Sequence, residues 1–276
     1  MPPEFAHYRV GAGAAVALAD QDPADTGSYD DPDEARAELD HLVDQIADLQ
    51  ARLYAEDARS LLVVLQGIDA AGKDSSVKHV FSGTNPQGVR VYSFKEPSNE
   101  EAAHDFLWRT HRATPRRGHI TIFNRSHYED VLVPRVHRTV PRKVLRKRYD
   151  RINDFERLLT ENGTLIVKFF LHISKGEQRR RLLERLDDPE KCWKFAEGDL
   201  AERALWDRYV VAYEKLLTRC STSHAPWYVI PADHKWYRNL AVASVLVGAL
   251  EGLDSRYPRP ALPPARRRQL RAALAR

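Results

Sequence analysis

The stretch LLVVLQGIDAAGKDSSV, residues 61–77, constrains the fold more than any other part of the chain. A run of aliphatic residues stops at Gly67, the pair Gly72-Lys73 follows, and helix-forming sequence comes next. G-x-x-x-x-G-K between an apolar strand and a helix is the pattern of a phosphate-cradling loop. Glycines there let successive backbone N–H groups turn toward phosphate oxygens, and the helix adds its positive end. Lys73 supplies a mobile cation for the phosphoryl group in transit. Two residues depart from the usual pattern. Asp74 stands where a magnesium-binding hydroxyl is expected, and Asp69 puts a further carboxylate inside the loop.

Five apolar runs alternate with helical patterns: Leu61–Gln66, Val89–Phe94, His119–Asn124, Leu165–Ile173 and Trp227–Pro231. Several are apolar on both faces, as strands of a parallel sheet covered by helices must be. The alternation predicts a doubly wound α/β fold, with ligands bound beyond the C-terminal ends of the strands. Residues 1–32, rich in Pro, Asp and Gly, read as an extended N-terminal arm, and 33–276 as a single domain. Over residues 33–57, Leu39, Leu42, Ile46, Leu49 and Leu53 form a narrow stripe at helical spacing. That stripe suits a helix lying on its own domain, with a dimer contact as the alternative. The tail, ALPPARRRQLRAALAR, reads as a solvated basic helix.

Composition narrows the partners. With 276 residues and 43% hydrophobic side chains the chain can bury a substantial core. A net charge of +4 favours an anionic partner without naming one. Cys192 and Cys220 are too few for a disulfide framework or a four-cysteine zinc site and read as free thiols. The first residues, MPPEFAHYRV, lack the apolar core of a signal peptide, and NLAVASVLVGALEGL is too short to span a bilayer. A cytoplasmic location without a membrane partner is expected.

Two further regions carry chemistry. The run HITIFNRSHYEDVLVPRVH ends an apolar strand in a polar burst of Asn124, Arg125, Ser126, His127, Tyr128, Glu129 and Asp130. In a parallel sheet this tip lies near the phosphate loop, so Asp69 and Asp130 form a candidate magnesium pair in place of the missing hydroxyl. Basic residues crowd around it: Arg112, Arg116 and Arg117 before the strand, Arg135 and Arg138 after it, and Arg179, Arg180, Arg181 and Arg185 on a later helix. Each alone reads as a solvated face, but together they suit a long polyanion. No RNA-binding motif with interleaved aromatics is present, which argues against nucleic acid. The segment DDPEKCWKFAEGDLAERALWDRYVVAYE mixes charge with Trp193, Phe195, Trp206, Tyr209 and Tyr213. Aromatics so spaced are usually core, yet the position after the fourth strand is where small kinases carry a mobile lid.

GIDAAGKDSSV, FNRSHYEDVLVPRVH, KCWKF with GDLAERALWDRY, and PWYVIPADHKWYRN together resemble the polyphosphate kinase 2 family, from about Leu39 nearly to Leu253. The resemblance implies a P-loop kinase fold of the thymidylate-kinase type, a three-layer α/β/α arrangement with a five-stranded parallel sheet and a helical lid at about 175–208. It implies reversible transfer of a terminal phosphoryl between inorganic polyphosphate and AMP, ADP or ATP with magnesium, or manganese in its place. By the same resemblance the catalytic residues are Asp69, Lys73, Arg125 and Asp130, with Asp69 and Asp130 on the metal. Gly67, Ala70, Ala71, Gly72, Asp74, Ser75, Asn124, Glu129, Arg135, Arg179 and Arg180 are the expected nucleotide- and polyphosphate-binding residues. Glu129 ahead of Asp130 resembles the branch that accepts AMP as well as ADP. A homo-oligomer, dimer or tetramer, is expected. The competing readings are an ATP-dependent nucleoside-monophosphate kinase and a non-catalytic polyphosphate- or nucleic-acid-binding protein.

Overall fold

A computed structural model describes residues 3–275. Five strands form one all-parallel sheet: β1 (Ser60–Gln66), β2 (Val89–Ser93), β3 (Ile120–Asn124), β4 (Thr164–His172) and β5 (Trp227–Pro231), in spatial order β2-β3-β1-β4-β5. The five expected runs each fall on a strand, within about one or two residues at the ends, as is usual where boundaries depend on hydrogen bonding. The helices are α1 (Pro32–Glu56), α2 (Lys73–Val80), α3 (Asn99–Ala102), α4 (Trp108–Ala113), α5 (Glu129–His137), α6 (Arg142–Glu161), α7 (Lys175–Asp187), α8 (Gly198–Ala204), α9 (Trp206–Cys220), α10 (Lys235–Gly252) and α11 (Pro264–Leu274).

Strand alternation sorts the core into two layers. Leu61, Val63 and Leu65 of β1 face α1 and α10, whereas Leu62 and Val64 face α5, α6 and α9. Side chains of successive strand residues point to opposite faces, so a strand with aliphatic residues at every position must be covered on both sides. The stripe on α1 packs inward: Leu42, Ile46 and Leu53 are buried against α10. This is the arrangement of a helix lying on its own domain. Asp31 caps α1 by accepting from the Asp33 backbone N–H, and Pro32 occupies the first turn, where its missing N–H costs nothing.

The segment before α1 is pinned along the sheet. The Val10 N–H donates to the Trp227 carbonyl at 2.9 Å, Arg9 bridges Tyr228, and Phe5, Tyr8, Val10 and Leu18 are buried. The segment therefore covers the exposed edge of β5, an edge that would otherwise present unpaired backbone groups. Among the described residues no helix is long and apolar enough to cross a membrane. Cys192 is exposed and Cys220 buried, both as free thiols.

One buried ionic network links the layers beneath the strand tips. Lys168 of β4 and Glu156 of α6 are fully buried and paired. The Lys168 ammonium also donates to the Tyr128 hydroxyl at 2.9 Å and to the Cys220 carbonyl at 2.7 Å. The Tyr128 hydroxyl donates to Glu156 at 2.8 Å. A buried charge is tolerated only when paired and hydrogen-bonded, and here every ammonium donor has an acceptor. Because Tyr128 directly precedes α5, this network fixes where the polar burst after β3 begins.

Candidate active site

The loop after β1 has the geometry its sequence demands. A side chain at Gly67 would meet the Leu171 carbonyl of β4 at 2.9 Å. Ala70 and Gly72 take positive φ, 67° and 104°, which turns the chain sharply before α2. The Ser76 N–H reaches the Gly72 carbonyl at 2.9 Å and starts the helix. The Lys73 ammonium lies back across the loop on the Gly67 carbonyl at 2.8 Å. Burial lowers its pKa, with the Asp69 charge as the largest influence in the other direction. Asp74 accepts from the Asn124 side-chain amide, so the residue in the usual hydroxyl position ties the start of α2 to the end of β3.

The tip of β3 closes the other side. Arg125 takes a left-handed backbone, φ 59°, and its N–H donates to the Leu65 carbonyl of β1. Its guanidinium donates to the Asp69 carboxylate at 2.8 Å, joining the two motifs across adjacent strands. Glu129 opens α5. Burial raises its pKa, and Arg125 and Lys73 pull in the opposite direction. Asp130 is likewise raised by burial, against the lowering effect of Arg109, whose guanidinium lies 3.2 Å away.

These groups open onto one cavity of about 530 Å³. Gly67, Asp69, Arg125, Glu129 and Asp130 line its floor. One wall comes from the segment after β2 and from α4: Phe94, Lys95, Pro97 and Arg109. The facing wall comes from α7 to α9: Gln178, Arg203, Tyr209 and Tyr213. A cleft of this size beyond parallel strand ends, with charged and polar groups from several elements converging on it, has the form of a ligand site. A second cavity, about 350 Å³, lies among Leu165, Val167, Tyr228 and Val245; it has no carboxylate and offers no phosphoryl chemistry.

A family model described as polyphosphate kinase 2 (PPK2) matches residues 29–258. The chain belongs to the polyphosphate kinase 2 family. It is 54% identical over 254 residues to a Meiothermus ruber protein named AMP/ADP-polyphosphate phosphotransferase, covering 92% of this chain and 95% of that one. It is 46% identical over 275 residues to the ADP-polyphosphate phosphotransferase of Rhodopseudomonas palustris, covering 95% and 94%. The crystal structure of polyphosphate kinase 2 from Arthrobacter aurescens TC1 superposes with a TM-score of 0.94 at 45% identity, over 97% of this chain and 96% of that one.

Within this candidate site, the residues singled out in the sequence separate into groups. Ala70, Ala71, Gly72, Lys73, Asp74 and Ser75 build the loop and first turn behind the floor. Asn124 sits at the strand end on Asp74. Arg135, on α5, is half-buried away from the cavity lining, where its charge acts on Tyr149 of α6. Arg179 and Arg180 are exposed on α7 and do not line the cavity, and Arg180 pairs with Glu177 and Glu184 of its own helix. Sequence reasoning missed Arg109, Lys95, Gln178 and Arg203; Tyr213 is buried in the core and Tyr209 packs against it, as their helical spacing suggests, and both also line the cavity. Arg109 shares a six-residue helix with Arg112, and only packing reveals which of the two faces Asp130.

The oxygen donors on the floor suit magnesium, which takes one or two protein carboxylates together with substrate phosphates and water. Asp69, Glu129 and Asp130 supply such donors. Among the described residues no group of three or more His, Cys, Asp or Glu side chains forms a protein-only metal cage. An ion shared with bound phosphates is what this donor set fits.

Proposed function

We propose that this protein is a polyphosphate-dependent nucleotide kinase that transfers the terminal phosphoryl of inorganic polyphosphate to AMP and to ADP, reversibly and with magnesium. The observation that carries the reading is the shared floor. Asp69 from the phosphate loop and Arg125, Glu129 and Asp130 from the tip of β3 open on a single cavity of about 530 Å³ flanked by two walls, so charged groups from both motifs meet in one space. The names of the Meiothermus and Rhodopseudomonas relatives support the same chemistry.

Phosphoryl transfer between phosphates asks little of a general base, because the attacking oxygen is already ionised. Alignment and charge neutralisation do most of the work. Lys73 is positioned to follow the transferred group, leaving the Gly67 carbonyl for a phosphate oxygen. Arg125 clamps phosphate from the β3 side while its pairing with Asp69 holds both in register. Asp69 and Asp130 would hold magnesium, which supplies neutralisation of phosphate charge when bound. Glu129, beside Arg125 and Lys73, favours acceptance of AMP as well as ADP. The stretch from about 175 to 208 is the proposed lid of a single domain over 33–276, behind an N-terminal arm over 1–32. We place the protein in the cytoplasm as a homo-oligomer.

The test uses purified protein, magnesium and long-chain polyphosphate without ATP, offering AMP, ADP and GDP separately and following products by anion-exchange chromatography. AMP converted to ADP and then ATP is the expected result. Reaction of diphosphates alone removes the Glu129 reading. Reaction only after ATP is added replaces the proposal with a monophosphate kinase.

A further inference from the structure

A loop that carries Asp69 and Asp74 beside a single lysine is poorly charged for holding a polyanion. The structure places compensation behind it. Arg181 of α7 and Arg238 of α10 are both buried directly under the loop. Arg181 Nη1 donates to the Ala70 carbonyl at 2.9 Å and to the Ala71 carbonyl at 3.2 Å, and its Nη2 reaches the Ala232 and Asp233 carbonyls. Arg238 Nη1 donates to the same Ala71 carbonyl at 3.2 Å, and its Nη2 reaches Ser75 Oγ and Asn239 Oδ1.

The two differ in their counter-charges. Arg181 pairs with Glu177 at 2.7 Å. Arg238 has no carboxylate among its partners in the described residues, and its charge faces only burial and the like charge of Arg181. Both influences pull its pKa down to about 9, which still leaves it cationic at neutral pH. An uncompensated buried charge is costly, so a fold retains one where something else draws on it. Gly72 shows how closely the loop is built on this group: a Cβ there would fall on the Arg238 guanidinium.

We propose that Arg181 and Arg238 act as positioning residues, a cationic bracket that holds the Ala70 and Ala71 carbonyls inward and lends the phosphate loop the positive potential its own residues lack. The Ala71 N–H is taken by the Ile68 carbonyl, so the bracket acts by fixing the loop for the amides that remain, and the field of the uncompensated guanidinium acts through protein rather than water. The ligand class is a linear inorganic polyanion, and in this the inference rests on the function proposed above.

The test compares Arg238→Lys with Arg238→Gln in the full chain. Lysine keeps the charge, and glutamine keeps a hydrogen-bond donor without it. Binding of inorganic tripolyphosphate is read by calorimetry, the melting temperature reports folding, and turnover gives KM and kcat separately. The bracket predicts that Arg238→Gln stays folded and weakens tripolyphosphate about tenfold, the order one unit charge exerts across a partly buried loop. KM for polyphosphate rises more than kcat falls, and Arg238→Lys stays close to the unaltered protein. Equal weakening by both variants, or no weakening by Arg238→Gln, overturns the proposal. Should Arg238→Gln fail to fold, Arg181→Lys against Arg181→Gln makes the same comparison: weakening by glutamine alone supports the bracket, and equal or absent weakening overturns it. Because tripolyphosphate binding is read without turnover, an unaltered chain that binds and never transfers removes the proposed function while leaving the bracket standing. An unaltered chain that does not bind removes both.

Discussion

The Arg109 guanidinium donates to the Asp130 carboxylate at 3.2 Å and to the Lys95 carbonyl at 2.8 Å, tying the wall after β2 to the first turn of α5. Only 7% of the Arg109 side chain and 16% of that of Asp130 are exposed, so each relies mainly on the other, with Glu101 at 3.9 Å as a second carboxylate for Arg109. Burial already raises the Asp130 pKa, and Arg109 is the main group holding it down. Arg109→Met is therefore expected to raise it further, moving the acid limb of the kcat/KM profile to higher pH. In a double-mutant cycle with Asp130→Asn the two should couple by about 0.5–3 kcal/mol. An unmoved acid limb and additive effects would show that Asp130 acts without Arg109.

The buried Lys168–Glu156 pair makes a prediction about stability. Lys168→Met strands a carboxylate among Tyr128, His127 and the apolar core, and should cost about 3–5 kcal/mol in urea unfolding. Replacing both residues by apolar ones should cost less than replacing either alone. Burial by itself would raise the Glu156 pKa; Lys168 and His127 outweigh it and hold the carboxyl below its ordinary value of 4.5. The folded pKa lies under the unfolded one, so the unfolded chain takes up the proton first as pH falls. The contribution of Glu156 is thus complete above pH 4.5 and lost as pH drops through the folded pKa. Glu156→Gln should flatten the acid side of the stability profile, which melts at a series of pH values will read directly.

What the sequence made legible was what is contiguous along it. Gly67 to Lys73 and Asn124 to Asp130 are short runs at strand ends, and parallel pairing of β1 with β3 brings them together in register, Leu65 opposite Asn124. Alternation and strand length sufficed for the sheet: β1, β3, β4 and β5 are apolar for the same reason they are buried, and the edge strand β2, with Arg90 and an exposed Val91, follows from its place in the alternation. Arg109, Gln178, Arg203 and the Arg181–Arg238 bracket come from four separate helices, and no spacing rule connects them. Arg179, Arg180 and Arg181 look alike in sequence. A helical turn of about 100° per residue sends Arg181 under the loop and leaves its neighbours in solvent.

Gly72 offers a local test of the loop. With φ at 104° and a guanidinium nitrogen in the place of its Cβ, Gly72→Ala should cost about 1–3 kcal/mol through backbone strain and lose phosphate binding as Arg238 is displaced. Gly252→Ala at the end of α10, with nothing within 4 Å of the added carbon, is the control and should leave both unchanged. Melting temperatures and tripolyphosphate titrations on the pair distinguish a strained loop from a merely crowded one.

Removing divalent metal with a chelator should stop transfer while leaving the melting temperature of the substrate-free protein where it was, since no protein-only cage depends on the ion among the described residues. Added magnesium should restore the rate. A melting temperature that falls with chelation would point instead to a structural ion.

If polyphosphate reacts at the loop of Lys73, single-turnover transfer from polyphosphate to ADP should fail in Lys73→Ala. Lys73 crosses the loop from its buried position, and the loss of one such group costs about 10²–10³ in rate. A loss of at least that size is expected, with the melting temperature nearly unchanged. Transfer at an undiminished rate by a folded Lys73→Ala protein would contradict it and place the chemistry elsewhere.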